Sequence, residues 1–133
     1  MAHDRQRVLA FARSYTDAWC SREPTRVVAH FAPDATIAIN GGAPTPILGV
    51  AKSFMADFPD MELVMGDVVI RDDDVVEYHW TLIGDHSGTG NHVHISGFEE
   101  WTIGDDGLVA ASRGNFDAVE YERQVAHGVD DAG

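Results

Sequence analysis

Glu99 interrupts an apolar row. From 93 to 103 every second residue reads Val93, Ile95, Gly97, Glu99, Trp101 and Ile103, while the alternate row is His92, His94, Ser96, Phe98, Glu100 and Thr102. A strand sends successive side chains to opposite faces, so this spacing puts a lone carboxylate on an otherwise greasy face. Leaving water disfavours the charged form, which raises the pKa and keeps the acid protonated toward neutrality. A neutral carboxyl can hydrogen-bond a developing enolate or alkoxide, or act as a general acid. The bland alternative is a structural glutamate bonded to a neighbouring side chain or turned outward at a bulge.

Other residues could join it. His79 lies on the strand before, and a register that places Glu77, His79, Thr81 and Ile83 on the Glu99 face brings an imidazole to the carboxyl, as a general base requires. The opposite face would then carry Val76, Tyr78, Trp80 and Leu82, and the inverse assignment fits the same alternation. Tyr15 sits in an apolar helical stripe, where a phenol serves either the core or a pocket and needs a partner in both. His92 and His94 form a His-x-His with His86 in the adjoining turn; imidazoles two apart on a strand can share a metal, but no matching carboxylate is specified and no metal is expected. Asp117 followed by Glu120 reads as a helix cap, and Gly88-Thr89-Gly90 as a hairpin turn without phosphate-binding context.

The elements that position these groups follow from periodicity. Val8, Phe11, Ala12, Tyr15 and Trp19 make the stripe of an amphipathic helix. Glu23-Pro24 opens a second helix carrying Val27, Val28 and Phe31, which Pro33 ends. Ala35 to Asn40 reads as a strand, 41–46 as a Gly/Pro loop, and Val50 to Phe58 as a third helix stopped by Pro59. Strands then follow at Glu62–Arg71, Val75–Gly84, Asn91–Ile103 and Leu108–Phe116, joined by short polar turns, and a last helix runs from Asp117 to Ala126. Helices followed by an antiparallel meander predict an α+β layer with helices on one face of the sheet.

Composition bounds the function. The 133 residues suit one domain, taken as 1–133 with its ordered part at about 4–126. A formal net charge of -13 repels phosphate backbones and anionic headgroups, so neither nucleic acid nor membrane is an expected partner. Cys20 is the single cysteine, which excludes an internal disulfide. The polar start and the lack of a long apolar run lead to the expectation of a cytoplasmic protein. If the outer sheet face carries Tyr78, Trp80, Leu82 and Phe98, it is too apolar to stay wet, and sheet-to-sheet homodimerisation would cover it.

The element order, with Tyr78-His79-Trp80-Thr81, Ile95-Ser96-Gly97-Phe98-Glu99-Glu100-Trp101 and Gly114-Asn115-Phe116-Asp117, resembles the nuclear transport factor 2-like superfamily, and more narrowly its SnoaL-like branch, which includes polyketide cyclases. The resemblance spans Val8 to Val125 and implies a cone: a strongly curved, antiparallel-rich sheet on three helices of the N-terminal half, a short C-terminal helix, and a ligand cavity at the open end. By similarity to the ketosteroid isomerases, Tyr15 and Glu99 would form an oxyanion hole. The isomerase base falls near Ile39 or Asn40, and Asn40 is similar to the water-holding asparagine of limonene epoxide hydrolases. The arginine and first aspartate of those hydrolases fall near His79 and Thr81, and the acid of the last strand falls at Gly114, which leaves proton transfer to His79 and Glu99.

The expected function is therefore cofactor-independent acid–base chemistry, isomerase- or cyclase-like, on a small apolar cyclic or polyketide-like molecule. His79 would move the proton, Tyr15 and Glu99 would hold the oxygen that gains charge, and Asn40 would position water or substrate. Trp19, Phe54, Phe58, Trp101 and Phe116 would form the apolar wall. The rival is a non-catalytic module of the same fold that binds a small ligand or a protein.

Overall fold

A computed structural model describes residues 4–129; the polar ends expected on either side lie outside the described residues. Helix α1 spans Arg5–Cys20, its first turn capped by the Asp4 carboxylate, which accepts from the Gln6 N–H at 2.9 Å. Its stripe of Val8, Ala12, Tyr15 and Trp19 is buried, as the spacing predicts. Helix α2 is the short Pro24–Val28, α3 is Ile47–Asp57, and α4 is Ala118–His127, capped by Asp117 Oδ1 on the Glu120 N–H at 3.0 Å.

Six strands form one sheet: β1 Phe31–Ile39, β2 Thr45–Pro46, β3 Glu62–Ile70, β4 Val76–Asp85, β5 His92–Ile103 and β6 Val109–Phe116. Their order is β2-β1-β6-β5-β4-β3, antiparallel throughout except for the parallel pair β1 and β6. The architecture is thus α+β, as expected, with the meander of β3 to β6 extended by β1. Register shifts at Met65/Val68, Thr102/Ile103 and Phe31/Thr36 break the ladder locally. Irregularities of this kind bend strands and increase twist.

Helix α2 stops sooner than the apolar pattern suggests. The chain turns at Ala29-His30, and Phe31 enters the core as the first residue of β1 at 4% exposure. The His30 ring fixes this turn. Its Nδ1 donates to the Arg26 carbonyl at 2.8 Å, which leaves Nε2 to accept from Ser14 Oγ at 2.8 Å and ties α2 to α1. Backbone demand explains the difference: Pro33 excludes helix from the residue before it, so the chain must already be extended there.

The face of β4 is the reverse of the preferred assignment. Tyr78 pairs with Glu99 and Trp80 with Gly97, so Val76, Tyr78, Trp80 and Leu82 share the inner face with Glu99. His79 pairs with Phe98 on the outer face. The reason is burial: the row holding two aromatics and two aliphatics removes far more apolar area from water than Glu77, His79, Thr81 and Ile83 could, at roughly 25 cal/mol per Å². Of the four residues expected to make the outer face greasy, Phe98 alone is there, so the aromatic surface that motivated a homodimer is absent from it.

Candidate active site: a buried acid at an apolar pocket

Glu99 occupies the face its spacing predicts and is 6% exposed. Three donors converge on one of its oxygens. Oε1 accepts from Ser112 Oγ at 2.8 Å, from Trp101 Nε1 at 3.1 Å and from the Tyr15 hydroxyl at 3.1 Å, while Oε2 meets only the Tyr15 hydroxyl, at 2.9 Å. Trp101 reaches it because residues two apart on a strand share a face. Ser112 reaches it from β6, where it pairs with Trp101. Tyr15 arrives from α1, fully buried and packed edge-on against Trp101 at 5.1 Å and Tyr78 at 5.3 Å. Tyr78 in turn stacks on Trp101 at 4.8 Å and donates its hydroxyl to Thr16 Oγ1, whose own hydrogen goes to the Ala12 carbonyl.

Opposing effects set the charge of the acid. Burial pushes the Glu99 carboxyl above its ordinary value, and the hydrogen bonds from Ser112, Trp101 and Tyr15 pull it back without overcoming the desolvation. Burial, reinforced by the neighbouring Glu99, drives the Tyr15 phenol well up, so Tyr15 stays a neutral donor. Tyr15 has one hydrogen to share between the two oxygens, so Oε1 has two donors of its own, Ser112 and Trp101, and Oε2 has none besides Tyr15.

Glu99 lines a pocket whose other walls are Trp19, Ile37, Ile39, Val50, Phe54, Met61, Leu63, Trp80, Leu82, Gly114 and Phe116. The cavity volume is about 60 Å³, so the pocket is a narrow apolar slot, well under the roughly 300–1,000 Å³ of sites for drug-sized ligands. Glu99 is the one titratable side chain among these residues. Gly114 pairs with Glu99 across the β5–β6 ladder, and a Cβ there would come within 3.0 Å of Ile39 Cδ1. The bare backbone at 114 thus keeps open the space beside the acid.

The other expected site residues lie apart from this acid. His79 is on the outer face, its side chain 38% exposed, bonded to Glu77 at 3.0 Å and stacked on Phe98 at 5.2 Å. Arg71 and Glu100 continue that charged surface with a 2.7 Å ion pair. The expected His79–Glu99 contact is therefore corrected, because opposite faces of one sheet cannot meet. Asn40 adopts a positive φ of 50° at the end of β1, and its Oδ1 accepts from the Phe116 N–H at 2.9 Å. It clamps β1 to β6 and is not among the pocket walls. Tyr15 touches Glu99 from behind and does not line the pocket either.

Of the expected apolar wall, Trp19, Phe54 and Phe116 line the pocket. Phe58 is fully buried against Tyr121 and His86, and Trp101 is fully buried behind the acid as its donor. Among the histidines, His92 bonds Asp85 at 2.9 Å and His86 Nδ1 accepts from the turn N–H groups of Gly88 and Thr89. Ser112 and Trp80 escaped the sequence reading. Counting back by two from Phe116 gives Gly114 and Ser112, which would have found the first; Trp80 was lost with the face of β4. No helix among the described residues is long and apolar enough to cross a membrane.

Comparisons with known proteins agree with this architecture. The structure of TsrD from Streptomyces laurentii superposes with a TM-score of 0.78 at 19% identity, covering 92% of this chain and 97% of that one. The BvnE pinacolase from Penicillium brevicompactum gives 0.75 at 16% identity, covering 92% and 96%. AusH from Aspergillus nidulans gives 0.74 at 16% identity, covering 86% of each. No functionally curated protein matches the sequence. At these identities the likenesses establish a shared fold. The profile of the SnoaL-like domain matches residues 12–112, which is more than half of the chain, and the chain belongs to the SnoaL-like family, with its nuclear transport factor 2-like fold.

Proposed function

We propose that this protein is a cofactor-independent enzyme that isomerises or cyclises a small, apolar, cyclic or polyketide-like molecule, with Glu99 as its acid. One observation carries the reading: a carboxyl with raised pKa lies in the wall of an otherwise apolar pocket, held by Tyr15, Trp101 and Ser112. A neutral Oε2–H can bond a carbonyl oxygen and transfer its proton as charge develops there. That transfer converts Glu99 into the carboxylate, which recovers a proton from the substrate, so one residue serves as acid and then as base. Tyr15 is a positioning residue that steadies the carboxylate while it exists. Natural-product proteins among the structural neighbours, a pinacolase included, favour the same broad class of reaction.

The test is conversion of 3-cyclohexenone to the conjugated enone, followed by its ultraviolet absorption, within a panel of cyclic ketones. Glu99→Gln should lower kcat by about 10²–10⁴-fold, the usual worth of a positioned general acid. Equal rates for wild type and variant would remove Glu99 from the mechanism. A second reading, ligand binding without turnover, is favoured by the lack of any other titratable group in the pocket wall. It predicts saturable cyclohexanone binding with no product from any panel member.

A further inference from the structure

Gly114 sits between two other wall residues of the pocket. On one side it pairs with Glu99 of β5 and on the other with Ile39 of β1, so the three form a row across the inner face of the sheet. The acid and the isoleucine are thus separated by a residue without a side chain. The next row on that face, Trp101, Ser112 and Ile37, has no such gap. Backbone conformation does not call for glycine at 114, because its φ lies outside the left-handed region. An alanine Cβ there would meet side chains alone, 3.0 Å from Ile39 Cδ1 and 3.8 Å from Ile37 Cδ1.

A second glycine on the same face shows the contrast. Gly97 precedes Glu99 by two residues on β5, and the rings that flank it in its own row fill the space it leaves. A Cβ at 97 would lie 2.7 Å from Trp80 Cζ2 and 2.9 Å from Phe116 Cβ. The gap at 114 is met only by the two isoleucine methyls, and it opens on the pocket. Glu99 and Gly114 are buried, whereas Ile39, Phe54, Trp80 and Phe116 are half-buried, so the acid and the gap lie at the floor and these four toward the mouth. An apolar cavity of about 150 Å³ holds a benzene. A slot of about 60 Å³ therefore admits the edge of one ring and no more.

We infer that Gly114 and Ile39 set the size of the ligand: the oxygen-bearing edge of a monocyclic ketone lies over the Gly114 backbone against Glu99, and the Ile39 Cδ1 methyl limits the ring that can follow it. The inference rests on the reading of the pocket as a small-molecule site and names its substrate class, single rings of about the size of cyclohexanone, with fused ring systems excluded. The oxygen leads because Glu99, at the floor, is the one titratable group of the wall. A methyl added at 114 takes room that the ring edge needs, and a methyl removed from Ile39 gives room back. Neither residue moves a proton, so both are specificity-determining positions.

The experiment uses the whole protein and measures the binding of cyclopentanone, cyclohexanone and cycloheptanone by calorimetry. Gly114→Ala should weaken cyclohexanone about tenfold relative to cyclopentanone, the discrimination that one methylene carries in a close-fitting apolar pocket. Ile39→Val, which lacks Cδ1, should improve cycloheptanone relative to cyclohexanone by a similar factor. In the Gly114→Ala background the same substitution should restore cyclohexanone binding, a rescue that general damage to the fold would not show. Affinity ratios among the three ketones that neither substitution changes overturn the inference. So does a Gly114→Ala loss that falls equally on all three and persists with Ile39→Val. Should Gly114→Ala fail to fold, Ile39→Val alone decides, and an unchanged cycloheptanone-to-cyclohexanone ratio overturns the inference. Equal 3-cyclohexenone turnover by wild type and Glu99→Gln would overturn the enzymatic reading while leaving the size ratios in force, and absence of binding by all three ketones would overturn both.

Discussion

Replacing Glu99 by glutamine should make the protein more stable as the pH rises. The native carboxyl has its pKa raised from an ordinary value of 4.5, so between that value and its native pKa the folded protein holds a proton that the unfolded chain has released. Stability then falls with increasing pH by up to about 1.4 kcal/mol per pH unit across that window. The contribution of the neutral acid is fully present below pH 4.5 and is lost as the pH climbs through the native pKa. Glutamine is neutral at every pH and nearly the same shape. Its amide oxygen can take the Oε1 place and accept from Ser112, Trp101 and Tyr15, while its NH₂ group faces the Tyr15 oxygen. The two proteins should therefore be matched within about 1 kcal/mol in acid, a difference typical of a single net hydrogen bond. Above the unfolded pKa the variant should gain about 1.4 kcal/mol per pH unit until the difference levels off at the native pKa. Urea unfolding of both proteins at intervals from acid to mildly alkaline pH measures this. A difference that is flat, or one in which wild type gains on the variant with rising pH, would mean that Glu99 is ionised and stabilised by its three donors. The neutral-acid argument would then be refuted.

Two further outcomes follow from the geometry. Gly97→Ala places a Cβ against the Asn115 carbonyl oxygen and 2.7 Å from the Trp80 ring, so it should destabilise by about 1–3 kcal/mol as overpacking does, read from the urea midpoint. No change would mean that Trp80 does not lie across β5 as described. His79→Ala should leave turnover and cyclohexanone binding as in wild type, with a stability change of under about 1 kcal/mol for a half-exposed hydrogen bond and ring contact. Lost turnover would return His79 to the site and contradict the β4 register.

Alternation along one strand was enough to place Glu99 in an apolar row, because strand geometry converts spacing directly into face. The amphipathic stripe of α1, the four meander strands and the Asp117 cap were legible for the same reason: each is a local periodicity or a local hydrogen bond. Resemblance of motifs carried the family and the pairing of Tyr15 with Glu99, which the structure shows as a hydrogen bond. What stayed hidden depends on contacts between elements. Both faces of β4 alternate, so only burial decides: Tyr78 packs on Tyr15 of α1 and Trp80 on Phe116 of β6, which leaves His79 outward. Ser112 and Gly114 become part of a site only when β6 is brought to Glu99. Sequence by itself determined which residues each strand and helix presents together. The tertiary structure alone decided which presented faces meet, because that outcome is set by the total apolar area removed from water, a property of no single segment.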